Sequence, residues 1–261
     1  MSEKYNKLEM LTTVKYYFKD FLEEIKKNPP KSDNKTICEV KVLPTDCISA
    51  GALYKNAVIH NFANNTRPGG PTSVFSEDGK LMSQHKNSST QEDQIIRFYK
   101  TDLLLPACFY PICDESKENG EALLYSTGGS NKPVISLAAP INPNFKKQKI
   151  INTVLNRMKL MLYVAHKHNH TLITGLWGAG AFSGNTPWGL LTPAGNNPWG
   201  LLTPQAGNTY DIVEIVELWK FVIKSTPYLP ERIVFAIIVD KYSEKWGKAE
   251  DIIKLFESIN N

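Results

Sequence analysis

Hydrophobic positions along the chain follow two rhythms. Leu8, Leu11, Val14, Phe18, Phe21, Leu22 and Ile25 recur at steps of three and four, the spacing that lines one face of an α-helix. Pro29-Pro30 ends that pattern, because proline cannot continue a helix. The same rhythm returns at 91–105 through Ile95, Ile96, Tyr99 and Leu103, and at 149–166 through Ile150, Val154, Leu155, Met158 and Leu162. It predicts two further helices at 211–223 and 244–259. Short apolar runs of strand length lie at 37–43, 57–62, 122–126, 134–139, 172–175 and 233–240. In the last run, Ile233 to Val239 has no polar break, as a strand covered on both faces reads. Strands alternating with helices predict an α/β fold around a mostly parallel sheet. The polar segment 64–90, with Pro68, Gly69, Gly70 and Pro71, reads as a long loop.

The chain has 261 residues, which allows one large domain or two small ones at about 150 residues each. No shift in composition marks a boundary, so one domain over 1–261 is the expectation. A net charge of +4 and a pI near 8.7 fall short of the basic excess, pI above about 9, of a dedicated nucleic-acid binder. No apolar run reaches the roughly 18 to 20 residues of a membrane span, and the polar start is unlike a secretion signal. A soluble cytoplasmic chain is expected, with the nucleus open. Cys38, Cys47, Cys108 and Cys113 form no CxxC pair, and no histidine stands at zinc-finger spacing from them, so they read as free thiols. His166, His168 and His170 are two apart, which suits neither an i, i+4 pair nor a zinc motif. They read as the solvated end of the 149–166 helix, while His60 and His85 stand alone. Nothing calls for a metal or a cofactor.

An internal echo sits further on: PWGLLTP at 187–193 recurs at 198–204. A period of 11 in two copies is no solenoid, whose units run from about 20 residues and need three or more copies. It reads either as a tandem duplication in a surface loop or as a Trp- and Leu-bearing lid beside a ligand site.

Three segments next to apolar runs carry candidate chemistry. Loop 61–71, Asn-Phe-Ala-Asn-Asn-Thr-Arg-Pro-Gly-Gly-Pro, has adjacent glycines that let a backbone approach a ligand and aim N–H groups at an anion. Loop 175–182, Gly-Leu-Trp-Gly-Ala-Gly-Ala-Phe, is glycine-rich after a strand, but it matches neither a P-loop nor GxGxxG. A tight turn is the plain alternative for each. Thr90-Gln91-Glu92-Asp93 opens the 91–105 helix. It reads as a near capping box or as an acid pair directed at a ligand.

Taken together, VIHNFANNTRPGG, TQEDQIIRFY, VISLAAP, TGLWGAGAF, GNTYDIVEIV and VFAIIVD resemble, in order and placement, the microbial type of poly(ADP-ribose) glycohydrolase, a macrodomain. The resemblance covers roughly residues 8 to 240. It implies a three-layer α/β/α macrodomain with a mixed, largely parallel sheet and an extra N-terminal helix within 1–35, binding ADP-ribose in a crevice across the sheet's end. By the same resemblance Asp46 stands on the adenine side and Asn64 contacts the distal ribose. Gly69 and Gly70 approach the diphosphate from one side and Gly178, Ala179 and Gly180 from the other, with Ala181 next in that loop. Phe182 packs on ribose or adenine. Gln91 precedes Glu92 and Asp93, which take the place of the family's paired glutamates, the second being the catalytic acid.

The activity so implied is hydrolysis of the glycosidic bond at the distal ribose, releasing ADP-ribose from modified proteins or from its chains. The partners are then ADP-ribose and ADP-ribosylated proteins, with nucleic acid only where it carries ADP-ribose, no membrane, and a monomer. The sequence departs from the family at Pro71, where a third glycine is usual, and at Asp93. It also departs in the nineteen residues 72–90 and in an insertion at 184–206 that holds the repeat. These departures leave a second expectation, a module that binds ADP-ribose without hydrolysing it. A third is an unrelated α/β nucleotide-binding or scaffold protein.

Overall fold

A computed structural model describes residues 12–29, 38–63, 95, 121–127, 132–138, 147–175, 177, 212–237 and 249–260. Seven strands among them make one mixed sheet. They are β1 (Thr12–Tyr17), β2 (Glu39–Leu43), β3 (Ala57–Ala63), β4 (Ala122–Thr127), β5 (Val134–Ala138), β6 (Thr171–Thr174) and β7 (Arg232–Ala236), in spatial order β1-β4-β5-β3-β6-β7-β2. The five from β5 to β2 run parallel. At the other side β4 pairs antiparallel with β5, and β1 antiparallel with β4. Five helices accompany them: α1 (Phe18–Lys27), α2 (Cys47–Ala52), α3 (Lys147–Lys167), α4 (Ile212–Ser225) and α5 (Ala249–Glu257).

Both faces of the sheet are covered. On one, α1, α3, α4 and α5 bury Phe21, Met158, Trp219 and Phe256 against Val58, Leu172 and Phe235. On the other, Cys47 and Ala50 of α2, with the helical and fully buried Ile95, close over Ala57, Ile59, Ile173 and Val234. The unbroken apolar run of β7 follows directly. Side chains alternate across a strand, so Ile233, Phe235 and Ile237 enter the first core while Val234 and Ala236 enter the second.

The N-terminal segment departs from its periodicity. The helix begins at Phe18 rather than Leu8, and Thr12–Tyr17 is a strand. Threonines, valine and tyrosines favour a pleated, half-buried surface, and pairing with β4, including Thr13 Oγ1 to Ser126 Oγ at 2.8 Å, decides the matter. Helix α2 had no periodic signal and is started by its cap, described below. Apart from Ile95, the expected 91–105 helix lies outside the described residues, as do loop 64–90, the 184–206 insertion, His85, Cys108 and Cys113. Neither Cys38 nor Cys47 is in a disulfide. No helix among the described residues is long and apolar enough to cross a membrane.

The histidines in the last turn of α3 and just after it are half-buried and bonded, not a solvated helix end. His166 Nδ1 donates to the Leu229 carbonyl at 2.7 Å. Asn169, at φ 54°, turns the chain so that His168 and His170 fold back onto β1 and β4. Tyr16 Oη meets His168 Nε2 at 2.8 Å and Tyr125 Oη meets His170 Nε2 at 2.9 Å, while Tyr125 stacks on His168 with ring centroids 4.1 Å apart. His170 Nδ1 lies 3.1 Å from the Asn56 carbonyl, which can only accept, so Nδ1 carries the proton and Nε2 accepts from Tyr125.

Candidate ligand crevice at the strand ends

Parallel strands present their C-terminal ends along one edge of the sheet, and the chain leaves adjacent β3 and β6 in opposite directions. From β3 it goes to β4 and β5 on one side, and from β6 to β7 on the other. Such a reversal opens a crevice where open α/β sheets take their ligands.

Near this edge, buried polar side chains are set into apolar strands. His60 of β3 is fully buried. Its Nδ1 is 2.8 Å from Thr174 Oγ1 at the end of β6, and its ring meets Phe62 edge-on at 4.7 Å and Trp177 at 5.7 Å. Burial lowers its pKa to about 3, the Leu137 backbone opposing without reversing the shift; the imidazole is therefore neutral. On the opposite face Asn61 Nδ2 donates to Ser136 Oγ of β5 at 3.0 Å, both residues fully buried. From α3 the buried Arg157 donates through Nη1 to the Ala138 carbonyl, the last of β5, at 2.7 Å.

Gly175, directly after β6, is closely hemmed in. A Cβ there would stand 2.9 Å from the Ala236 carbonyl oxygen, 3.3 Å from Phe62 Cζ and 3.7 Å from Cys47 Sγ. One backbone atom thus ties together the ends of β3, β6 and β7 and the start of α2. The chain then turns at once, Trp177 N–H donating to the Gly175 carbonyl at 2.8 Å, and the Trp177 side chain is buried.

Of the residues singled out from the sequence, Asp46 is described and caps α2. Its Oδ1 accepts from the Ile48 and Ser49 N–H groups at 2.8 Å each, and its Oδ2 from Ser49 Oγ at 2.7 Å. Burial works to raise its pKa, but the bonds from Ser49 and Ile48 prevail and hold it below the usual carboxylate range. Asn64, Gly69, Gly70, Gln91, Glu92, Asp93, Gly178, Ala179, Gly180, Ala181 and Phe182 lie outside the described residues. Their neighbours in the chain are placed: Ala63 precedes Asn64, Trp177 precedes Gly178, and Ile95 follows Asp93 by two residues. His60, Ser136, Thr174 and Arg157 drew no functional reading from the sequence, and Asn61, expected to open the 61–71 loop, lies inside β3. The available sign was a polar residue inside an otherwise apolar strand, as in VIHNFA and VISLA.

No protein-family model matches the sequence, and no curated protein matches it. Solved structures do. Poly(ADP-ribose) glycohydrolase from Thermomonospora curvata superposes with a TM-score of 0.56 at 16% identity, over 95% of this chain and 85% of that one. The enzyme from Deinococcus radiodurans, in complex with ADP-ribose, gives 0.57 at 14% identity, over 95% and 93%. Its apo form gives 0.54 at 13%, over 95% and 94%. The chain shares the fold of these microbial glycohydrolase structures. At such identity the likeness carries the arrangement of strands and helices, and the side-chain chemistry has to be argued from this chain.

Proposed function

We propose that the protein is an ADP-ribose glycohydrolase, releasing ADP-ribose from modified proteins or from its chains by cleaving the bond at the distal ribose. The observation that carries this reading is the convergence at Gly175, where the strands leading into both glycine loops meet the start of α2. The shared fold supports it, one neighbour having been solved with ADP-ribose. In this reading Gly69 and Gly70 on one side and Gly178, Ala179 and Gly180 on the other offer backbone N–H groups to the diphosphate. Asn64 holds the distal ribose, Phe182 packs on the nucleoside, and Asp46 stands on the adenine side.

Such a bond breaks through an oxocarbenium-like state, so a positioned carboxylic acid protonates the departing oxygen and then, as carboxylate, activates water. Glu92 and Asp93, after Gln91, are the groups for that work. A diphosphate close by favours the protonated acid. Burial of Ile95 beside Cys47 and Ile59 anchors the chain just after them on the α2 side of the sheet. Asp93 is one methylene shorter than a glutamate, and a displacement of about 1 Å costs on the order of 100-fold in rate. Asp93 and Pro71 therefore favour a second reading, an ADP-ribose-binding module without turnover.

One incubation with poly- and mono-ADP-ribosylated protein, following free ADP-ribose, decides between them. Release that disappears in Glu92→Ala or Asp93→Ala is the result expected of the enzyme. Tight binding without release leaves the binding module. Absence of thermal stabilisation by ADP-ribose removes both, because a ligand that binds only the folded state must stabilise it.

A further inference from the structure

Strand β2 closes one side of the sheet, and among the described strands it pairs with β7 alone. Backbone groups point to alternate sides along a strand, and contacts settle which side is which. The Glu39 N–H donates to the Glu231 carbonyl and the Leu43 carbonyl accepts from the Ile237 N–H. Glu39, Lys41 and Leu43 therefore turn their backbone groups toward β7, and Val40 and Val42 turn theirs outward. Such an outward row is a template for one more strand.

At Val40 the template is already filled. Asn260 stands in the short 3₁₀ turn Ser258–Asn260 that follows α5. Its Oδ1 accepts from the Val40 N–H at 3.2 Å, and its Nδ2 donates to the Val40 carbonyl at 3.0 Å. One side-chain amide thus makes both bonds that an antiparallel neighbour exchanges at a hydrogen-bonded pair. Ile259, just before it, is buried in the core, which holds the amide in place although Asn260 itself is exposed.

The side chains of β2 say what suits this edge. Glu39 and Lys41 share one face, two residues apart, and their side chains are 45% and 44% exposed. A second copy laid antiparallel, Val40 against Val40, sets Glu39 opposite Lys41 and Lys41 opposite Glu39. Unlike charges opposite one another favour a pairing and like charges oppose it. Parallel pairing in the same register would set Glu39 on Glu39 and Lys41 on Lys41. We propose that the outer edge of β2 is a self-association surface for a second copy of this chain, paired antiparallel about Val40, and that the Asn260 amide keeps it closed. The proposal is independent of the ADP-ribose reading.

The test follows association by sedimentation equilibrium in the full chain, for wild type, Asn260→Ala and Asn260→Gly, each first shown to be folded by circular dichroism. Glu39→Lys and Lys41→Glu are then added separately to Asn260→Ala and measured alone and mixed one to one. We expect both Asn260 variants to associate at least about tenfold more tightly than wild type. Their Val40 amide should regain protection from hydrogen exchange as concentration rises. Either charge variant alone should return to the wild-type level. Their mixture should associate again, because only the mixed pair sets unlike charges opposite each other at both places. Association unchanged from wild type in both Asn260 variants overturns the proposal. A gain that either charge variant leaves intact also overturns it, by placing the contact away from β2 or in another register. Should Glu39→Lys fail to fold, Lys41→Glu alone still decides, since it too brings like charges together.

Discussion

Replacing Gly175 by alanine tests the junction on which the proposed crevice depends. The added methyl would stand 2.9 Å from the Ala236 carbonyl oxygen and 3.3 Å from Phe62 Cζ, where non-bonded carbons prefer about 3.5–4.0 Å. The oxygen belongs to β7, which is held in register against both β6 and β2, so relief requires the sheet to spread. Overpacking of this kind costs about 1–3 kcal/mol. Alanine recovers about 0.4–1 kcal/mol through the less flexible unfolded chain, leaving a net loss of about 1.3 kcal/mol between the midpoints of the two ranges. At roughly 2–4 °C per kcal/mol for a chain of this size, Tm should fall by about 3–5 °C. Differential scanning calorimetry reads the shift directly. The sign is the discriminating feature, because Gly→Ala at an uncrowded site raises stability. A Tm equal to or above wild type would show that the strand ends are not locked at Gly175, and the convergence argument would go with it.

Other expectations follow from the same contacts. Asp46→Ala removes the cap of α2 and should cost about 1 kcal/mol, up to about 2, seen as a lower urea midpoint. Asp46→Asn keeps the cap and should recover most of that loss. Stability should fall as pH drops below about 6.5, the unfolded histidine value, because the folded protein resists protonating His60 and, by burial aided by Lys167 and by His168 respectively, His168 and His170. Their contribution is complete above that pH, and His60 alone should account for about 2 kcal/mol between pH 7 and 5. Urea midpoints that stay flat over that range would refute it. Finally, burial pushes the Cys38 thiol up to about 12, the Ile233 backbone opposing and Glu39 adding to the shift, and Cys47 is buried. Native-state iodoacetamide at neutral pH should leave both unlabelled, and unfolding should expose them to mass-spectrometric detection.

The strands through the centre of the sheet were legible because a surface buried on both faces needs apolar residues at every position. The 57–62, 134–139 and 233–240 runs therefore pointed to β3, β5 and β7, with 139 and 238–240 outside the described residues. Helix α3 was equally plain from its one-sided periodicity. Strand β1 was not, because Val14 stands four residues before Phe18 and continues the α1 spacing. Only the backbone of β4, more than a hundred residues away, makes Thr12–Tyr17 extended. Helix α2 is short and built of small residues, and what starts it is the Asp46 carboxylate rather than a pattern.

In the candidate site the division is the same. The glycine loops, the Gln-Glu-Asp segment and their order along the chain could be read as motifs, because backbone approach to an anion and proton transfer each restrict residue type. The sequence by itself thus determined the fold class and the alternation of elements. Tertiary structure alone decided that His60 fastens to Thr174, that Tyr16 and Tyr125 hold His168 and His170, and that Gly175 abuts the Ala236 carbonyl. Each of these contacts joins side chains or backbone atoms far apart in the chain. Their partners are set by strand order and register, and no local spacing encodes which strand will lie beside which.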